Sequence, residues 1–196
     1  MRKLVYYVGV SLDGYIAGPA DEVDFYPRSD EMRAWTVERY PEMVPTHVRP
    51  QVGIPVDEPG KQWDTVLMGR VTYEPGLSVG VTSPYAHLKQ YVVSTTLGRI
   101  DDPAVELVSG DPVELVRRLK REEGKDIWLC GGGRLAGTLI DEIDELVLKS
   151  YPVIAGGGVS AITGTFRPTL FRPTQRREFD NGAQITWFSR DRIPVP

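Results

Sequence analysis

Three short segments of this 196-residue chain carry residue types that can hold a phosphate. In Ile127-Trp128-Leu129-Cys130-Gly131-Gly132-Gly133-Arg134-Leu135, an apolar run meets three glycines, and a helix is predicted to follow. Glycines at such a junction let backbone N–H groups approach a diphosphate, while a helix N-terminus adds partial positive charge. The run is neither the Gly-x-Gly-x-x-Gly dinucleotide fingerprint nor a Walker loop, because no Gly-Lys-Ser/Thr follows. In Leu67-Met68-Gly69-Arg70-Val71-Thr72-Tyr73-Glu74, a strand stops at glycine, and an arginine fork and a threonine hydroxyl stand at the next helix start. In Val92-Val93-Ser94-Thr95-Thr96, hydroxyls follow an apolar strand. Taken singly, each segment reads as well as a tight turn, a surface arginine beside a helix cap, or a plain loop. Delivered by three strands to one sheet edge, they make a phosphate-rich ligand the economical explanation, since open α/β sheets bind ligands at the carboxyl ends of their strands.

The elements that would position them alternate between strand and helix. Lys3 to Val10 is a nearly continuous apolar run, as in a strand buried on both faces. Ser29 caps a predicted helix that Pro41 stops after Tyr40. Residues 41–60 are rich in Pro, Gly and Val without periodicity and read as a long loop, of the kind used as lids, partner surfaces or disordered segments. Short strands follow at Thr65 to Met68, Gln90 to Ser94 and Val105 to Val108, with a helical stretch between the first two ending at Pro75. Asp111-Pro112-Val113-Glu114 opens a helix that runs to Glu123. A strand from Asp126 to Cys130 leads through the glycines into a helix to about Asp141. Leu146 to Ile154 forms a long strand before a second glycine run, Gly156 to Gly158. Gln175 to Asp180 and Ala183 to Ser189 flank Asn181-Gly182, the pair suited to a type I′ hairpin. The expectation is one α/β domain over 1–196, with helices on both faces of a mostly parallel sheet and an antiparallel hairpin at one edge.

Composition narrows the partners. Against 23 Lys and Arg stand 27 Asp and Glu, and the densest basic patch, Arg117-Arg118 with Lys120-Arg121, is interleaved with acids on a predicted helix. A solvated helix face explains it, so no nucleic-acid partner is expected. No apolar run reaches the roughly 18–20 residues that cross a bilayer. Met1-Arg2-Lys3 before an apolar stretch suggests a signal peptide, but no cleavage site follows, so the stretch reads as a core strand and the cytoplasm as the compartment. The single cysteine, Cys130, and two histidines leave no basis for a disulfide or a metal site.

Val10-Ser11-Leu12-Asp13-Gly14-Tyr15-Ile16-Ala17, the three segments above in their order, and the second glycine run together resemble the dihydrofolate-reductase-like superfamily. The branch is the one containing the reductase domain of bacterial riboflavin biosynthesis enzymes, and the resemblance spans nearly the whole chain. It implies a three-layer α/β/α fold, NADPH as cofactor, and a homodimer. By motif, Gly9 would offer backbone to the nicotinamide side, with Ile16 and Ala17 on or near that ring. Gly69, Arg70 and Thr72 would hold phosphates, Arg70 also lying near an adenosine 2′-phosphate. Ser94 and Thr95 would meet the adenosine end, and Gly131, Gly132, Gly133, Arg134 and Leu135 would wrap the diphosphate.

The substrate side is less defined. Dihydrofolate reductases place a carboxylate on the first helix to bind the pteridine. Here Asp24, Asp30 and Glu31 occupy that region without the matching flanks, and Asp13 sits in the loop expected near the nicotinamide. Asp13 and Asp30 are the candidate catalytic residues, although a turn-forming Asp-Gly and helix-start charges explain them equally. Arg28, Lys149, Arg167 and Arg172 could meet an anionic substrate, but no spacing singles one out. The expected function is hydride transfer to a small, pterin- or pyrimidine-like acceptor. The alternative is a non-catalytic nucleotide-binding or regulatory protein on the same fold.

Overall fold

The computed structural model describes residues 1–191. Its centre is an eight-stranded sheet. β1 (Leu4–Val10) lies in the middle, paired in parallel with β6 (Asp126–Gly131) and β7 (Ile143–Ser150). Beyond β6 stand β3 (Trp63–Gly69), β4 (Lys89–Val93) and β5 (Val105–Val108), all parallel. Beyond β7, β10 (Gln184–Arg190) and β9 (Phe171–Glu178) close the sheet in antiparallel fashion. Six of seven β1 residues are buried, because covered parallel strands face core on both sides. Two further strands, β2 (Tyr15–Ala17) and β8 (Val159–Ser160), form a small separate ribbon.

The helices divide between the two faces. α1 (Asp30–Arg39) and α2 (Arg70–Ser78) send Met32 and Tyr73 into one core, with Tyr7, Trp63, Met68 and Trp128. α3 (Pro112–Arg121) and α4 (Gly133–Thr138) send Leu115, Leu119, Leu135 and Leu139 into the other, with Leu4, Tyr6 and Leu129. The local start signals act as read: Ser29 accepts the Met32 N–H at 2.9 Å, and Asp111 accepts that of Val113 at 2.8 Å. Three layers result.

Several boundaries differ from the sequence reading. α2 continues through Pro75, although proline there forgoes the hydrogen bond to the carbonyl of Val71, an exposed residue. β7 stops at Ser150, where its register with β1 ends and Pro152 lacks an N–H. β9 begins at Phe171 rather than Gln175, passing Pro173 beside a bulge. α4 ends at Thr138, short of Asp141. The hairpin is not type I′, because only Gly182 has positive φ (78°), while Phe179 and Ala183 close a three-residue loop.

The 41–60 segment is not an open lid. It contains two short 3₁₀ turns at Pro41–Met43 and Arg49–Val52, and it is tied down by two fully buried charged side chains. Arg49 donates to the carbonyls of Val56 (3.1 Å) and Glu58 (2.7 Å), and Glu42 accepts the N–H groups of Gln62 (2.6 Å) and Trp63 (2.9 Å). These bonds replace the missing secondary-structure ladder.

Candidate active site

The carboxyl ends of β1, β3, β4, β6 and β7 meet at one edge of the sheet, and the three phosphate-type segments arrive there. Gly69 is the N-cap of α2, with an ordinary φ of −82°, and a Cβ built on it would meet nothing within 4 Å. Gly131 and Gly132 turn the chain with φ of 137° and 90°, a region that side chains rarely tolerate. The neighbour of both is the Thr72 hydroxyl, 3.8 and 3.7 Å from their built Cβ positions. Arg70 is half exposed and pairs with Glu74 at 3.5 Å, one helical turn on. Ser94 is buried, and its hydroxyl accepts the N–H groups of Thr96 (3.2 Å) and Leu97 (2.9 Å), so it builds the turn whose exposed tip is Thr95.

Not every residue of these segments faces open space. A methyl on Gly133 would overlap the Ser160 carbonyl oxygen, and one on Gly137 would overlap that of Thr163. These two glycines, one helical turn apart on α4, let residues 160–163 cross the helix at backbone contact. Leu135 points into the core and Arg134 outward, so Leu135 has only backbone to offer the crevice. Ile16 packs against the α3/α4 core, and Ala17 is buried where β2 pairs Val159.

Neither sequence-chosen carboxylate is disposed to give up a proton. Asp13 accepts from the Ser11 hydroxyl (2.6 Å), the Ala155 N–H (3.0 Å) and the Gly156 N–H (2.8 Å), which ties the first loop to the second glycine run. The Ser11 bond foremost, with those backbone bonds, holds its carboxyl down at about 2, so it stays ionised. Asp30 is almost fully exposed at the α1 start and pairs with Arg33 at 3.6 Å. Glu31 accepts the Asp180 N–H at 3.0 Å and faces Arg177.

Beside Gly9, on the α1 face, lies a feature that the spacing did not reveal. A Cβ on Gly9 would sit 3.1 Å from the Tyr151 ring and 3.7 Å from Lys149 Cε. Tyr151 stacks on Tyr26 with ring centroids 4.5 Å apart, and the Tyr26 hydroxyl donates to the carbonyls of Tyr15 (2.7 Å) and Gly9 (3.3 Å). Lys149, the β7 partner of Gly9, holds its ammonium 5.0 Å from the centre of the Tyr7 ring. Gly9, Cys130, Lys149 and Tyr151 are all partly accessible, so solvent reaches this face. Of the other basic candidates, Arg167 pairs with Asp141, Arg172 pairs with Asp191, and Arg28 is exposed. What singles out Lys149 is its register partner Gly9, and the residues around it in sequence do not disclose that pairing.

Burial pushes the Lys149 ammonium down to about 8, with the nearby Cys130 acting weakly against that. A cation whose pKa falls on folding binds fewer protons in the native state between about 8 and its ordinary value of 10.5. Stability from this group therefore rises as pH climbs through that window and is lowest below it. Lys149→Met is expected to raise Tm at pH 7 and to lose that advantage by pH 10. A Tm gap that is flat across this range in thermal melts would contradict the shift.

The open, mostly parallel sheet with its crevice and edge hairpin defines a dihydrofolate-reductase-like α/β protein. The chain belongs to the RibD C-terminal domain family, which matches residues 2–185. It is 28% identical over 186 residues to the uncharacterized protein YwjB of Bacillus subtilis (strain 168), covering 94% of this chain and 96% of that one. Among solved structures it is similar to a candidate riboflavin biosynthesis protein from Shewanella sp. PV-4, with TM-score 0.70 and 23% identity over 97% and 99% of the two chains. It also shares its fold with a dihydrofolate reductase from Enterococcus faecalis complexed with NADP(H), at TM-score 0.64 and 12% identity over 96% of each chain. No helix among the described residues is long and apolar enough to cross a membrane.

Proposed function

We propose that this chain is a reductase that binds NADPH and passes its hydride to a small heteroaromatic acceptor of pterin or pyrimidine type. Gly69 is the observation that carries the reading. Its backbone conformation suits any residue and its Cβ position is empty, so neither strain nor packing asks for glycine there. A ligand pressed against the backbone does. The open faces of Gly131 and Gly132 beside the Thr72 hydroxyl fit the same diphosphate.

In this reading the cofactor, when bound, supplies the hydride, and the chain supplies placement. Backbone N–H groups of Gly69, Gly131, Gly132 and Gly133, with the Thr72 hydroxyl and the Arg134 side chain, hold the diphosphate. Arg70 leaves Glu74, an exposed pair worth only about 0.3–0.5 kcal/mol, and grips the 2′-phosphate. Thr95, at the tip of the Ser94 turn, meets the adenosine end. Gly9, with Ile16 and Ala17 behind it, borders the nicotinamide. The NADP(H) complex of the enterococcal relative supports the cofactor assignment. The exposed edge strand β9 is where a second copy would pair.

Tryptophan fluorescence quenching tests this directly. NADPH is expected to bind at least ten-fold more tightly than NADH, and Arg70→Ala should remove most of that difference while leaving NADH nearly unchanged. Equal losses for both would take the 2′-phosphate away from Arg70, and no binding of either would end the reductase reading. The commitments of Asp13 and Asp30 favour the second reading, a nucleotide-binding protein without turnover. NADPH that binds but is never oxidised by pterins, pyrimidines or quinones would establish it.

A further inference from the structure

Lys149 is a partly buried charge without an ionic partner among the described residues. It takes part in no ion pair and no side-chain hydrogen bond among the described residues; its recorded contact is the Tyr7 ring. The groups recognised next to it are neutral near pH 7, while the ionised Asp13 acts on Tyr26 of the adjoining stack. β1 contributes Tyr7 and Gly9, β6 contributes Cys130 with Tyr85 beside it, β10 contributes buried Ile185 as backbone partner, and Tyr151 follows just beyond the end of β7. Burial raises the Cys130 thiol to about 12 and lifts the Tyr7 and Tyr151 phenols above their ordinary range. The α1 side chains packed on this core, Met32 and Trp35, carry no charge, and the α1 carboxylates face solvent or β9.

A partly buried ammonium without a counter-charge is costly to keep, and a fold has no packing reason to prefer it over methionine. It stands opposite Gly9, whose missing side chain lets the Tyr151 ring and the Lys149 stem close over the sheet, 3.1 and 3.7 Å from where a Cβ would sit. On the same face of the sheet, Trp128 Nε1 is buried without a hydrogen-bond partner among the described residues.

We propose that Lys149 is the specificity-determining residue of the acceptor site, seating an anionic oxygen of the ligand, carboxylate or enolate, on its ammonium. For the word acceptor this rests on the reductase reading; the anion preference itself does not. With the Lys149 ammonium as the charge beside the ligand, the site selects planar anions over cationic aminopyrimidines. Cation–π contact with Tyr7 orients the ammonium, and the Tyr26–Tyr151 stack walls one side.

The test uses the full chain without cofactor, titrated by calorimetry at pH 7 with orotate as planar anion and 2,4-diaminopyrimidine as planar cation. Orotate is expected to bind at least ten-fold more tightly, with an affinity that falls as pH rises above about 8. Lys149→Met should abolish that preference and Lys149→Arg should retain most of it, both variants melting cooperatively and binding NADPH like the parent. Equal or reversed preference, a preference that survives in Lys149→Met, or failure of both probes overturns the proposal. A parent that prefers orotate but ignores NADPH would leave the anion site standing and remove the reductase, so the two failures are distinguishable.

Discussion

Gly69→Val is expected to weaken NADPH binding about 100-fold, close to 2.8 kcal/mol, while moving the unfolding free energy by less than about 1 kcal/mol. The two halves of this expectation have separate causes. Valine accepts the native φ of −82° and ψ of 167°, which lie in the extended region that β-branched residues favour. Losing glycine's freedom in the unfolded chain stabilises by roughly 0.4–1 kcal/mol. Valine is also a poorer N-cap than glycine, which costs a similar amount, about 1 kcal/mol at most. These nearly cancel, and the new methyls meet no protein atom at the Cβ position. They do stand where a diphosphate would approach the backbone. Urea denaturation and NADPH titration on the same preparation check both halves. Unchanged affinity would move the phosphate site away from β3, and a large loss of stability would show that the space is not empty.

How far the sequence disclosed this arrangement depends on how local each signal is. Ser29 and Asp111 declare their helices because a cap is a contact between residues two or three apart. The continuous apolar run of β1 declares a covered parallel strand for the same kind of reason. The β2–β8 ribbon was invisible, since strands of three and two residues have no period, and their pairing joins residues some 140 positions apart. Residues 41–60 looked unstructured because what orders them is two buried charges bonding to backbone, a pattern with no sequence periodicity. Lys149 stood undistinguished among four basic candidates. What sets it apart is its pairing with Gly9 across the sheet, which only the register supplies.

The triple glycine shows the same limit most sharply, because sequence treats its three members alike and the fold does not. Gly132 turns the chain beside open space, whereas Gly133 is crossed by the chain itself at Ser160. Gly133→Ala is therefore expected to cost about 2–4 kcal/mol of stability, in the range of substitutions that overpack a core. The crossing segment has little freedom to retreat. The Tyr6 hydroxyl holds the Ala161 carbonyl at 2.7 Å, the Ala161 N–H reaches Gly14 at 2.9 Å, and the Thr163 N–H reaches Gly133 itself at 2.9 Å. Gly137 makes the second half of the same crossing, so the two sites share one response. Once a first methyl has pushed residues 160–163 off α4, a second has less to displace. Gly133→Ala combined with Gly137→Ala should thus cost less than the sum of the single changes by at least about 1 kcal/mol. Exposed Arg134→Ala, one residue along, should lie within about 0.5 kcal/mol of the parent. Urea midpoints for the four variants and the parent decide the matter. Strict additivity would mean that the two methyls are absorbed by different parts of the structure. A neutral Gly133→Ala would show that residues 160–163 retreat from α4 freely and that the crossing does not require glycine there.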